Sequence, residues 1–89
     1  MTYAVHLNRQ ARKELKRLDR ILEQRIYDRL QEIAAAPHSA RLANPLVTIP
    51  GVRYARVGAW RIIFRINETE KKVEVLAIRS RGDVYDKLC

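Results

Sequence analysis

The chain opens on an alternation. Tyr3, Val5 and Leu7 interleave with Thr2, Ala4 and His6, the two-residue period of a half-buried strand. Asn8 then offers a helix N-cap, and the period changes to that of a helix. Ala11, Leu15 and Leu18 recur on one side, with Arg9, Arg12, Lys13, Lys16, Arg17 and Arg20 mostly on the other. A second apolar series, Leu22, Ile26, Leu30 and Ile33, runs to Ala34-Ala35-Ala36 and stops before Pro37. One unbroken helix over this stretch would be about 40 Å long at a rise of ~1.5 Å per residue. A domain of this size is only about 30 Å across. A bend near Asp19, with Asp19 capping the second helix, resolves the conflict, and the pattern predicts a helical hairpin.

Pro37 to Pro50 reads as a surface connection leading into Gly51. Strand patterning resumes at Val52–Val57, turns at Gly58-Ala59, continues over Trp60–Ile66 and, after a polar turn at 67–72, returns at Val73–Arg79. A short helix is expected over Asp83–Leu88. The order β-α-α-β-β-β with a short C-terminal helix predicts an α+β fold: a small antiparallel sheet with the hairpin packed on one face. The 89 residues make one domain, 1–89. On the Trp60 strand, Trp60, Ile62, Phe64 and Ile66 share one face and belong under the helices. Arg61, Ile63 and Arg65 share the other, so Arg61 and Arg65 are expected on an open face that forms a basic groove.

Charge sharpens the picture. Eighteen Lys and Arg against ten Asp and Glu give +8, and most of the cations are arginine. No acid lies between Glu32 and Glu68, where Arg41, Arg53, Arg56, Arg61 and Arg65 fall. Such a field attracts polyanions, and arginine suits bidentate phosphate contact. No apolar run reaches the ~20 residues of a membrane span. The N-terminal stretch lacks the basic and apolar regions of a signal peptide. With one cysteine, Cys89, disulfide scaffolds and cysteine zinc sites fall away, and a reducing cytoplasm is the expected location.

Conventional catalytic sets are absent. His6 and His38 are the only histidines, with no acidic cluster beside either, so no metal or other cofactor is expected. Ser39 and Ser80 lack the glycines of a nucleophile elbow, and no glycine-rich phosphate loop is present. What remains is arginine interleaved with tyrosine: Arg53, Tyr54, Arg56, Arg61, Arg65, Arg79, Arg81 and Tyr85. Read from spacing alone, this set is either a phosphate-binding and base-stacking surface or a row of strand arginines pairing with Glu68, Glu70 and Glu74.

The segment Gly51–Leu88 resembles the RelE/ParE superfamily of small toxins. The resemblance is carried by Arg56-Val57-Gly58-Ala59-Trp60-Arg61-Ile62-Ile63-Phe64-Arg65-Ile66 and by Val73-Glu74-Val75-Leu76-Ala77-Ile78-Arg79-Ser80-Arg81-Gly82-Asp83-Val84-Tyr85. The opening strand and basic hairpin fit as well. The resemblance implies the toxin of a type II toxin–antitoxin pair. In its RelE-like branch that means a metal-independent endoribonuclease cleaving mRNA in the ribosomal A site, held inactive by a RelB-like antitoxin. Asp83-Val84-Tyr85 looks more like this branch. By position, Arg61 matches the arginine that stabilises the reacting phosphate, and Arg79 the one assigned to the leaving group, with Arg81 as its substitute if the register slips. Arg56 matches a further groove residue, and Tyr85 the tyrosine that stacks on a base. Arg53, Tyr54 and Arg65 complete the expected RNA-binding set. One departure stands out: where the best-known RelE pattern has a lysine pair, Val52 and Tyr54 stand, and Arg53 points to the opposite face if the strand is regular. A ParE-like gyrase poison and a plain RNA-binding module are the alternative readings.

Overall fold

The structure, a computed structural model, describes residues 2–46 and 49–80. The expected terminal helix at Asp83–Leu88 lies outside them, as do Arg81 and Tyr85. The chain forms β1 (Ala4–Leu7), α1 (Arg9–Lys16), α2 (Arg20–Ala35), β2 (Asn44–Pro45), β3 (Val52–Val57), β4 (Trp60–Asn67) and β5 (Lys72–Ser80). The two helix starts are fixed by side chains. Asn8 Oδ1 accepts from the Ala11 N–H at 2.8 Å, and Asp19 Oδ1 accepts from the Leu22 N–H at 2.8 Å. Each satisfies an N–H that the helix itself leaves without a partner. The break at Asp19 keeps each helix within a molecule whose longest extent is 31 Å.

The five strands form one sheet in the order β1-β5-β4-β3-β2. The expected all-antiparallel sheet is corrected in one respect: β1 joins β5 in parallel, Ala4 opposite Lys72 and Leu7 opposite Val75. The helical hairpin is the crossover that makes this parallel neighbour accessible. The Pro37–Pro50 connection also contributes a two-residue strand, β2, whose Asn44 pairs with Tyr54. At the β3–β4 hairpin Gly58 takes φ +61 in a two-residue turn, a conformation that a side chain disfavours.

The main core lies between the hairpin and one sheet face. Leu15, Ile26, Leu30 and Ile33 of the helices meet Ile62, Phe64, Val73, Val75 and Ile78 of the sheet, with Trp60 and Ile66 packed against them. That is the β4 face predicted from alternation. The order on β5 is less regular. Ile63 pairs with Ala77 and Phe64 with Val75, so Leu76 is an extra residue, a β-bulge. Val73 and Val75 face the helices before the bulge and Ile78 after it, while Leu76 and Ala77 both join a smaller cluster on the opposite face.

Phe64 is fully buried and Ile21, near the start of α2, is 77% exposed. Phe64→Ala is expected to lower unfolding free energy by about 3–5 kcal/mol. Ile21→Ser should change it by no more than about 0.5 kcal/mol. Urea unfolding followed by circular dichroism measures both.

Candidate nucleic-acid interface

The face of the sheet turned away from the hairpin is built in cross-strand rows. At one end Arg56, Arg61 and Arg79 stand opposite one another on β3, β4 and β5. In the middle Tyr54, Ile63 and Ala77 form an apolar row, extended by Val52, Leu46 and Leu76. At the far end Arg65 donates from Nε to Glu74 at 2.8 Å, and Asn67 Nδ2 donates to the same carboxylate at 3.4 Å. These bonds, Arg65 first, hold the Glu74 carboxyl below its ordinary range.

The bulge at Leu76 is what brings Arg79 into the arginine row. With strict alternation from Val73 and Val75, Arg79 would fall on the helix-facing side and Ile78 on the other. The extra residue reverses the phase. Three like charges then share one row, at a cost the surroundings must offset.

They are offset differently. Arg56 is exposed. Arg61 is 3% exposed, and its guanidinium carbon lies 5.0 Å from the centre of the Tyr54 ring, a cation–π contact. The expectation of Arg61 on a solvent-open face is therefore corrected: the face is as predicted, but the central apolar row and Tyr54 make it a packed surface rather than a bare trough. Arg79 pairs with Glu14 of α1. Glu14 also accepts the Ile78 N–H through Oε1 at 2.8 Å and the Gln10 side-chain amide through Oε2 at 3.1 Å. β1 pairs only as far as Val75, and beyond it Glu14 supplies the acceptor for one further backbone donor of β5, the Ile78 N–H.

Arg53 is elsewhere. Its strand phase puts it on the other side from Tyr54, and its guanidinium donates to the carbonyls of Pro37, Ser39 and Ala43 at 2.8, 3.3 and 3.1 Å. It ties down the α2–β2 connection and does not join the row. Arg65 shares the face of Arg61 but lies at its opposite end, engaged by Glu74. Glu14 was not among the residues singled out from sequence, although a signal existed: it is the one acid before Asp19, set among the four cations of α1. The histidines stay apart in role. His38 Nε2 contacts Glu68 at 2.7 Å, while His6 pairs in register with Glu74 on β1. Among the described residues no group of three or more His, Cys, Asp or Glu could hold a metal ion. No helix among them is long and apolar enough to cross a membrane.

Two measurements test these linkages. Glu14→Ala leaves the Ile78 N–H and the Arg79 guanidinium without their acceptor. It should destabilise the fold by about 2–3 kcal/mol, whereas Glu14→Gln, which keeps an acceptor for Ile78, should cost less. The lowered folded-state value of Glu74 adds stability above the unfolded carboxyl range, which is lost as pH falls through that lowered value. Arg65→Ala should therefore reduce Tm at neutral pH and converge with the parent in acid. An NMR titration should show the Glu74 midpoint rising in the variant.

Comparison with known proteins follows the same outline. The sequence profile described as the ParE toxin of the type II toxin–antitoxin system, parDE, matches residues 5–85. A search of curated proteins finds no match by sequence. Among solved structures, the chain is similar to the RelBE2 toxin–antitoxin complex of Mycobacterium tuberculosis. The identity is 24% and the TM-score 0.77, covering 91% of this chain and 100% of that one. A free mutant of the Escherichia coli toxin RelE superposes with TM-score 0.81 at 18% identity, over 99% and 95% of the two chains. The RelE–RelB complex of Pyrococcus horikoshii gives 0.76 at 24%, over 92% and 98%. These likenesses share the α+β fold, a mixed sheet with a helical hairpin on one face. With the profile spanning nearly its whole length, the chain belongs to the ParE toxin family of type II toxin–antitoxin systems, within the RelE/ParE superfamily.

Proposed function

We propose that this toxin acts in the cytoplasm as a RelE-like, ribosome-dependent mRNA endonuclease, neutralised by a RelB-like antitoxin. The observation that carries the reading is the row Arg56–Arg61–Arg79 on the sheet face opposite the hairpin. RNA cleavage by its own 2′-OH forms a 2′-O–P bond and breaks the P–O5′ bond, leaving a 2′,3′-cyclic phosphate. The pentavalent phosphate gathers negative charge, and fixed guanidinium groups placed around it stabilise that charge. Exposed Arg56 is positioned to meet the RNA backbone first. Arg61 is held against the Tyr54 ring and contacts the phosphate once that packing rearranges. Arg79, released from Glu14, serves the departing 5′-oxygen. Tyr85 stacking on a base and Arg81 as a further phosphate contact complete the proposal from the family pattern.

Arginine remains protonated and cannot remove the 2′-OH proton. With Val52 and Tyr54 where the lysine pair stands in the best-known RelE pattern, the row supplies charge stabilisation without a basic amine. The proton acceptor then comes from outside the row, which is consistent with a requirement for the ribosome. The +8 charge favours fast association with an acidic antitoxin segment that covers the same cations.

A second reading has its own support, because the matching profile is that of ParE toxins. A ParE-like chain would poison DNA gyrase without chemistry of its own. One induction experiment separates the two. Primer extension should show new 5′ ends within translated mRNA, and Arg61→Ala should lower their yield by at least a hundredfold while leaving Tm within a few degrees. Linearised plasmid and an SOS response with intact mRNA would instead support gyrase poisoning. RNA bound in a salt-dependent manner but left intact on ribosomes would mean a binding module.

A further inference from the structure

Between the C-terminal half of α1 and the end of the β4–β5 pair lies a cleft of about 540 Å³, within the ~300–1,000 Å³ range of small-ligand sites. Its lining includes Lys13, Glu14, Arg17, Trp60, Ile78 and Arg79. It opens on the helix side of the strand ends. Trp60 and Arg61, consecutive on β4, belong to opposite sheet faces. The cleft is thus separate from the arginine row, and Arg79 is the residue common to both.

Its lining combines cations with an aromatic ring. Lys13 on α1 and Arg17, which caps its C-terminus in a near-helical conformation, are four residues apart and both line the cleft. Among the described residues neither forms an ion pair. The single carboxylate, Glu14, is engaged by the Ile78 N–H, the Gln10 amide and the Arg79 guanidinium rather than by Lys13 or Arg17. Two cations with no ion-pair partner among the described residues therefore line the cleft. Opposite them is Trp60, half-buried, whose indole N–H makes no hydrogen bond among the described residues. Leu18, half-buried, provides apolar surface beside it. Paired cations suit a phosphate, and an aromatic plane beside apolar surface suits a base.

We infer that this cleft is a second RNA subsite, taking a phosphate on Lys13 and Arg17 and its base against Trp60. It would hold a nucleotide flanking the one at the arginine row, with the strand passing over the β5 edge at Arg79. An acidic peptide would satisfy the cations but would leave the indole without a planar partner, so a nucleotide is the better fit. The inference extends the RNA-cleaving reading, but the occupancy of the cleft is measurable without cleavage.

Trp60 is the only tryptophan; its fluorescence reports on this cleft and on the adjoining hollow lined by Ile21, Arg25 and Gly58, and the Lys13 and Arg17 substitutions, which touch only the first, tell the two apart. Purified full-length protein is titrated with 5′-AMP, with inorganic phosphate and with a glutamate-rich peptide. Saturable quenching by 5′-AMP is expected, at least about tenfold tighter than by phosphate or peptide. Joint substitution Lys13→Ala and Arg17→Ala should weaken it about tenfold, as should the single charge reversal Lys13→Glu. Circular dichroism should show both variants folded. Arg41→Ala, an exposed cation on the connection between α2 and β2, should leave 5′-AMP affinity within about twofold. Absence of saturable quenching, equal affinity for phosphate or the peptide, or indifference to the Lys13 and Arg17 substitutions would overturn the subsite. Loss of mRNA cleavage in Arg61→Ala with 5′-AMP quenching intact supports both readings. If the parent protein cleaves no mRNA yet binds 5′-AMP as expected, the nuclease falls and the subsite stands.

Discussion

The pairing of β4 with β5, with one extra residue at Leu76, governs the chemistry of this small protein. Up to Val75 the strand delivers alternate side chains to the hairpin; past Leu76 it delivers the other set. Ile78 therefore continues the core, and Arg79 comes into line with Arg61 and Arg56. A regular strand would have pressed a guanidinium into the helices, where an unpaired charge is costly, and turned an isoleucine toward the arginine face. One inserted residue thus reconciles a packed core with a cationic surface on adjacent positions.

Much of this architecture was legible in the sequence because it rests on local periodicity. The caps at Asn8 and Asp19, the break between the helices and the division of β4 into apolar and basic sides all follow from residue type and spacing. The parallel seat of β1 was not legible, since it depends on where the hairpin returns the chain. Nor was the bulge: Val73-Glu74-Val75-Leu76-Ala77-Ile78 contains no glycine to mark it, and the phase change emerges only against the register of β4. Arg53 shows a further limit. By residue type it reads as a surface arginine like Arg56 on the same strand, yet three loop carbonyls brought together by the fold claim its donors. No sequence pattern states where carbonyls converge.

The arginine row also shows how a fold tolerates like charges side by side. Two unit charges ~5 Å apart repel by about 3 kcal/mol at an effective dielectric near 20. Here each cation has a separate outlet. Arg56 is exposed to water, Arg61 lies over the Tyr54 ring, and Arg79 meets a carboxylate from another element. The strain is thereby spread over solvent, an aromatic face and a helix. The positive potential at that end of the sheet remains.

The Glu14 bracket has a consequence for motion. An eight-residue helix is too short to hold its shape unaided in water, and α1 persists because Asn8 secures its start and Glu14 fastens its middle to the bare edge of β5. The helix and the guanidinium it grips are therefore one cooperative unit. Drawing Arg79 away removes one of the two ties between Glu14 and β5 and leaves the Ile78 N–H bond as the other, so rearrangement among the cations is felt by that short segment.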